Sequence, residues 1–207
     1  IPAWETPTGW KFFGTLLDAR LATICGEESA GTGSDHVREK DGLWAVLLWL
    51  NILAATGKSV LQIAHEHWGR FGRNYYARHD YEGVESALAE AVVSRVSERL
   101  ATLPGTRFGG LSVATADSFS YTDPVDGSIS RNQGLRVVFD GGSRFVIRLS
   151  GTGTEGATIR LYLERFEPAD GTIDGETGAM LADLVTIAEE IAGIAAITGR
   201  NAPDVVT

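Results

Sequence analysis

One cysteine, one methionine and six prolines among 207 residues exclude several architectures at once. Cys25 has no second thiol in the chain to pair with, so no internal disulfide staples the fold, and the usage points to a reducing compartment. Beside an apolar run, such a thiol is either reactive or a small buried hydrophobe. Positive charge is scarce as well. Lys and Arg number 18 against 27 Asp and Glu, a net charge of −9. That balance argues against a nucleic-acid binder, which needs a basic patch. It also means that any anion site must build its own local positive potential against an adverse field. No signal peptide opens the chain, and the expected location is cytoplasmic, away from membranes. The most apolar run, Leu43 to Ala55, is too short for a bilayer core of ~30 Å and reads as a helix buried on all sides. The chain starts at Ile1-Pro2 rather than at a methionine and holds only Met180, which reads as a processed or truncated piece.

What is present is a glycine-rich turn between two strands. Phe145, Ile147 and Leu149 alternate with Val146, Arg148 and Ser150; after the turn, Ile159, Leu161 and Leu163 alternate with Thr158, Arg160 and Tyr162. Both flanks have the period of a strand. Gly151, Gly153 and Gly156 permit positive φ, so successive N–H groups can turn inward as an anion nest. Ser150, Thr152 and Thr154 add hydroxyls, and an arginine fork on each side grips phosphate oxygens in pairs. The same letters match the G-x-G-x-x-G dinucleotide fingerprint, but that motif must open a helix, and here a strand follows. The plain alternative is a glycine-rich hairpin with two solvated arginines.

Along the chain, Thr8 is placed to cap a helix carrying Phe12, Phe13, Leu16 and Leu17. Leu21 to Cys25 reads as a short buried strand. Asp41 and Gly57 bracket the apolar helix, and Ser59 with Gln62 forms a capping box for the next one. This first part is an α/β fragment. Residues 74–83 are polar and aromatic without a clear period and read as a link. Beyond them, Val84, Leu88, Val92, Val96, Leu100 and Leu103 recur at helical spacing. Strand signals follow near 111–121 and 134–140, Asp140-Gly-Gly-Ser marks a hairpin turn, and a last helix carries Met180, Leu184, Ala188, Ile191 and Ala195 on one stripe. This half reads as an α+β domain, an antiparallel sheet packed on helices. The expected division is 1–73, a link at 74–83, and 84–207.

A second polar constellation lies in the first part. Gly26-Glu27-Glu28-Ser29 sits at a strand end, where α/β sheets place ligand groups. Glu27 suits two vicinal sugar hydroxyls and Ser29 a third; the alternative is a solvated acidic turn. Lys40 directly precedes a helix N-terminus, where a positive charge is unfavourable. Near a carboxylate and a phosphate it serves as a proton donor or acceptor, or as an electrostatic clamp. His65 and His67 face roughly 200° apart on a helix and read as surface residues rather than ligands of one metal. No metal ligands are assigned.

Together these segments resemble the phosphoglucomutases of the α-D-phosphohexomutase superfamily. The resemblance rests on Pro7-Thr8-Gly9-Trp10-Lys11-Phe12-Phe13-Gly14, on Cys25-Gly-Glu-Glu-Ser29 with Gly31-Thr-Gly-Ser-Asp-His36, on Arg38-Glu-Lys-Asp-Gly-Leu-Trp-Ala45, on Gly72-Arg-Asn-Tyr-Tyr76, and on Arg148-Leu-Ser-Gly-Thr-Gly153 with Arg160. It implies the later part of a sugar-binding domain 3 followed by domain 4, a small α+β fold similar to the TATA-binding protein. It implies sugar contacts for Thr8, Gly9, Glu27 and Ser29, proton transfer or phosphate contact for Lys40, and distal-phosphate contacts for Arg148, Ser150, Gly151, Thr152 and Arg160, with Arg78 as a weaker candidate. The family interconverts glucose 1-phosphate and glucose 6-phosphate through a phosphoserine, glucose 1,6-bisphosphate and Mg2+. No Thr-Ala-Ser-His-Asn-Pro or Asp-Gly-Asp pattern occurs here, so this chain by itself is expected to be inactive. The expected partners are a phosphosugar and the family's N-terminal domains, with self-association through the partial domain 3. The rival readings are a non-catalytic phosphosugar-binding module and a mutase for mannose or amino-sugar phosphates.

Overall fold

The computed structural model describes residues 2–27, 31–153 and 156–207, apart from the side chain of Thr152. In chain order the elements are α1 (Lys11–Asp18), β1 (Ile24–Gly26), β2 (Thr32–Ser34), α2 (Gly42–Thr56), α3 (Val60–Phe71), β3 (Arg73–Val84), α4 (Ser86–Arg99), β4 (Arg107–Phe108), β5 (Leu111–Ser118), β6 (Tyr121–Thr122), β7 (Ile129–Ser130), β8 (Leu135–Phe139), β9 (Arg144–Gly153), β10 (Gly156–Glu167), α5 (Thr177–Ala192), α6 (Ile194–Thr198) and β11 (Val205–Val206). They form two compact units, Ile1–Glu66 with Ser120–Gln133, and His67–Phe119 with Gly134–Thr207.

In the first unit, α1 buries Phe12, Leu16 and Leu17. Its N-cap is Trp10, without a side-chain bond, rather than Thr8; the chain is still turning at Gly9, whose φ is +135°. β1 and β2 form an antiparallel pair with Cys25 opposite Gly33. Of the strand expected to be buried from Leu21 to Cys25, only Cys25 is, while Leu21 and Ile24 face outward. The Asp41 carboxylate accepts from Trp44 N at 2.9 Å to start α2, and Gly57 ends it at a φ of +66°. This helix contradicts its sequence reading. None of its residues is buried, and Leu43 is 80% exposed. Hydropathy identifies a surface that favours burial, and the described residues supply nothing to cover it. The capping box of α3 is formed: Ser59 N donates to Gln62 Oε1 at 2.8 Å and Gln62 N to Ser59 Oγ at 3.3 Å. α2 and α3 meet at a bend of 80°, and among the described residues no single helix is long and apolar enough to cross a membrane. The hairpin β6–β7, unsuspected from sequence, joins this unit through Thr15 Oγ1, which donates to Asp123 Oδ2 at 2.7 Å, and through Tyr121, edge-on to Phe12.

The second unit is an antiparallel sheet in the order β11-β3-β10-β9-β8-β5-β4 with helices on one face. α4 contributes Ala89, Val92 and Val96, and α5 contributes Leu181, Leu184, Ala188 and Ile191, against Phe145, Ile147, Ile159, Leu161 and Leu163 of the sheet. Alternation along β9 and β10 sends the intervening polar residues to the opposite face. The Asp140-Gly-Gly-Ser turn closes β8 onto β9, with Gly141 and Gly142 at φ of +86° and +90° and Phe139 N donating to Ser143 O at 2.8 Å. The stretch 74–83 is not irregular: it is β3, paired with β10 from Ala157 to Glu167. Val84 and Leu103 flank α4 rather than lying on it, and the last helical stripe is broken at Gly193, φ +65°, between α5 and α6.

Candidate functional site

In the first unit the β1–β2 turn and the segment before α2 fold onto each other. Lys40 Nζ reaches Glu27 Oε2 at 2.6 Å; the Glu27 side chain is 9% exposed and that of Lys40 46%. The lysine stem lies directly over Gly31, where a Cβ would fall 2.8 Å from Lys40 Cδ and Cε. Its ammonium stands 5.8 Å from the centre of the Trp10 ring. Gly33 plays the same part beneath Trp10 and the Glu39 carbonyl, since a Cβ there would meet Glu39 O at 2.8 Å. Glu27 N donates to Gly31 O at 2.9 Å and closes the turn. The result is one positive and one negative group held together, the positive one over the Trp10 ring, suited to hydroxyl-rich ligands. Gly9 adjoins Trp10, and Thr8 is exposed in the turn before α1. Ser29 and its neighbour Glu28 lie outside the described residues.

Three further groups stiffen this segment. His36 lies between Ser34 Oγ, at 2.5 Å from Nδ1, and Asp41 Oδ2, at 2.9 Å from Nε2, with its ring stacked on Trp44. The Trp44 N–H and then His36 hold the Asp41 carboxyl below its ordinary range. Arg38 is bound to Asp18 at 2.7 Å. Cys25 is buried; burial raises its thiol pKa, and its sulfur lies 3.7 Å from Gly33 O. That makes it a small buried hydrophobe rather than a reactive thiol.

In the second unit the sheet register brings the candidate phosphate residues into one row. Arg148 of β9 sits directly opposite Arg160 of β10, which sits directly opposite Asp80 of β3. Ser150 faces Thr158, and Arg78 faces Tyr162, in the neighbouring rows of the same face. Asp80 is 3% exposed. It accepts from Arg78 Nε at 3.0 Å, and Arg160 Nε stands 3.8 Å from its other oxygen, beyond hydrogen-bonding range. Arg160 Nε is buried without a hydrogen bond among the described residues. Arg148 makes no ion pair or hydrogen bond among the described residues, and its stem lies across Gly134, where a Cβ would come within 3.0 Å of Arg148 Cγ.

Like charges directly opposite each other on adjacent strands are destabilising. A row with two arginines and one buried carboxylate, already engaged by Arg78, retains uncompensated positive charge. It is arranged to accept an anion. At the row's end, Gly151 has φ +64°, and Gly156 has φ +97° with a Cβ position 2.9 Å from Val84 O. The Thr152 side chain and residues 154–155 of the turn lie outside the described residues. Sequence reasoning missed Asp80 and Gly134. A charged residue on the polar face of a strand was the only signal for Asp80, and it was hidden because 74–83 read as a link. No group of three or more His, Cys, Asp or Glu side chains among the described residues has the geometry to hold a metal ion.

Comparison with known proteins covers both units. Residues 1–71 match the family described as phosphoglucomutase/phosphomannomutase, alpha/beta/alpha domain III, and residues 73–204 match the phosphoglucomutase-1 C-terminal domain. The chain is 62% identical over 204 residues to the phosphoglucomutase of Rhizobium radiobacter and 51% identical over 213 residues to human phosphoglucomutase-1. These alignments cover 99% and 100% of this chain but 38% of each relative. Among solved structures, the open form of pp63/parafusin, a phosphoglucomutase from Paramecium, superposes with a TM-score of 0.88 at 51% identity, covering 98% of this chain and 36% of that one. The chain therefore spans about two fifths of the length of its curated relatives, and it belongs to the phosphoglucomutase/phosphomannomutase family through its third and C-terminal domains.

Proposed function

We propose that this chain is the sugar-binding and distal-phosphate-binding part of an enzyme that interconverts glucose 1-phosphate and glucose 6-phosphate. The observation that carries the reading is the row Arg148, Arg160, Asp80, in which two arginines oppose each other and Arg148 has no counter-charge among the described residues. A phosphate dianion supplies that missing charge, and two guanidinium forks match its oxygens. Arg148, Ser150, Gly151, Thr152 and Arg160 hold the phosphate that is not being transferred, with Arg78 fixing Asp80 beneath Arg160. Thr8, Gly9, Glu27 and Ser29 hold the sugar hydroxyls. Sugar is assigned to the part that matches domain III, residues 1–71, and phosphate to the part that matches the C-terminal domain, residues 73–204, which includes β3.

The proposed reaction proceeds through glucose 1,6-bisphosphate, which turns over between two transfers at a phosphoserine supplied by upstream domains. The arginine row must then accept either the 1- or the 6-phosphate, which a glycine-rich nest between two flexible forks allows. Lys40, held on Glu27, either moves a proton at the reacting hydroxyl or clamps a phosphate oxygen; the contact with Glu27 fixes the position of its amine. Mg2+, when bound by the upstream domains, neutralises charge on the transferred phosphoryl group.

A chimera tests this reading. This chain replaces the matching segment of the Rhizobium radiobacter phosphoglucomutase, and conversion of glucose 1-phosphate is followed with and without Arg148→Ala. The expected result is an active chimera whose kcat/KM falls at least about 30-fold in the variant. A folded chimera without activity, or one indifferent to Arg148→Ala, contradicts the proposal.

A further inference from the structure

The second unit has a cavity at the end of its sheet remote from the glycine hairpin. β9 spans Arg144 to Gly153, which at the strand rise separates the two ends by about 30 Å. At the far end, a cavity of about 580 Å³ opens between the β8–β9 turn, the start of β5, the end of β10 and α5. That is the size of a small-molecule site. Its floor is apolar: Phe108, Leu184 and Ile187 line it and are themselves buried.

The charge of the lining is one-sided. Asp140, Glu167, Asp183 and Glu190 supply carboxylates and Arg165 the only guanidinium. Arg165 Nε holds Glu167 Oε1 at 2.8 Å, so that pair cancels. The side chains of Asp140, Asp183 and Glu190 make no ion pair or hydrogen bond among the described residues. Asp183 and Glu190 are seven residues apart on α5, with Ile187 between them, so all three share one helix face. A separate observation points inward. Ser143, 6% exposed, also lines the cavity, and its hydroxyl has no hydrogen-bond partner among the described residues. That oxygen is not sealed from the cavity, so a ligand group there can take its hydrogen bond. The carboxylates do not converge as metal ligands. Apolar floor, negative rim and a hydroxyl open to the cavity together fit one ligand chemistry.

We propose that this cavity binds a small organic cation with an apolar body, an alkyl- or arylalkyl-ammonium. The ammonium sits among Asp140, Asp183 and Glu190, the body covers Phe108, Leu184 and Ile187, and Ser143 Oγ takes a polar atom of the ligand. The site is separate from the arginine row, and its charge repels an anionic phosphosugar. It does not depend on the mutase reading.

The test is an amide-resolved NMR titration of this chain with 2-phenylethylamine, beside 2-phenylethanol and phenylacetate as its neutral and anionic counterparts. The expected result is saturable shifts at Gly109, Gly110, Gly141 and Ser143 with the amine and none with phenylacetate. Affinity for the amine should fall about fivefold or more in the double variant Asp183→Asn/Glu190→Gln, whose exposed positions leave the fold intact. Ser143→Ala should weaken binding without moving its location. An alcohol that binds as tightly as the amine, a double variant that binds as tightly as the parent, or the absence of saturable shifts at these amides up to about 10 mM amine overturns the proposal.

Discussion

At the residue scale, the informative groups are those whose electrostatic surroundings are incomplete. Arg148 and Arg160 face each other across β9 and β10, an arrangement a strand pair avoids unless an anion or a carboxylate compensates it. Asp80 does so for Arg78 and, at longer range, for Arg160. His79, adjacent to Asp80 but on the opposite face of β3, behaves differently. Burial lowers its pKa below the ordinary 6.5, against a smaller opposing effect of Asp80, and its Nδ1 has no partner among the described residues. The folded chain thus resists a proton that the unfolded chain accepts, so stability is greatest above the unfolded histidine range and falls as pH drops through it. Thermal melts between about pH 7.5 and 5.5 check this. His79→Gln should flatten that dependence, and an unchanged slope in the variant counts against it. The arginines and glycines of the row were legible from their alternation. Asp80 was not, because its importance arises from register with a strand some 80 residues away, a pairing that local composition does not encode.

At the element scale, the capping chemistry of α2 and α3 was legible because it is local: Asp41, Gly57, Ser59 and Gln62 act within one turn. β3 escaped notice because its core face carries Tyr75, Ala77, His79 and Tyr81, while its other face carries Arg78 and Asp80. Tyrosine and histidine on the inside and charges on the other face blur the alternation that marks a strand. The β9–β10 hairpin depends on the close approach of Gly156 to the end of β3. A Cβ at that position meets Val84 O at 2.9 Å, and the φ of +97° is unfavourable to any other residue. Gly156→Ala should cost about 1–3 kcal/mol, measured by chemical denaturation, and should weaken phosphate binding in parallel. A variant as stable as the parent would mean that the hairpin does not need this approach.

At the scale of the whole molecule, α2 shows where sequence reading stops. Its hydropathy was read correctly, but whether a covering surface exists in the same chain is not a property of the helix. Leu43, Val46, Leu47, Trp49 and Leu50 are all exposed. A contiguous apolar face of this kind favours association in water. Sedimentation of this chain should show concentration-dependent association that Leu47→Lys reduces; a monomer at all concentrations contradicts that expectation. The arginine row bears most directly on the account, since both the fold reading and the proposed chemistry meet there. The decisive measurement is calorimetric titration of this chain with glucose 6-phosphate at low salt, beside Arg148→Ala. The account predicts binding in the millimolar range or tighter, weakened at least about tenfold in the variant while its circular dichroism spectrum stays that of the parent. Equal binding by the two proteins, or none by a folded parent chain, would contradict it.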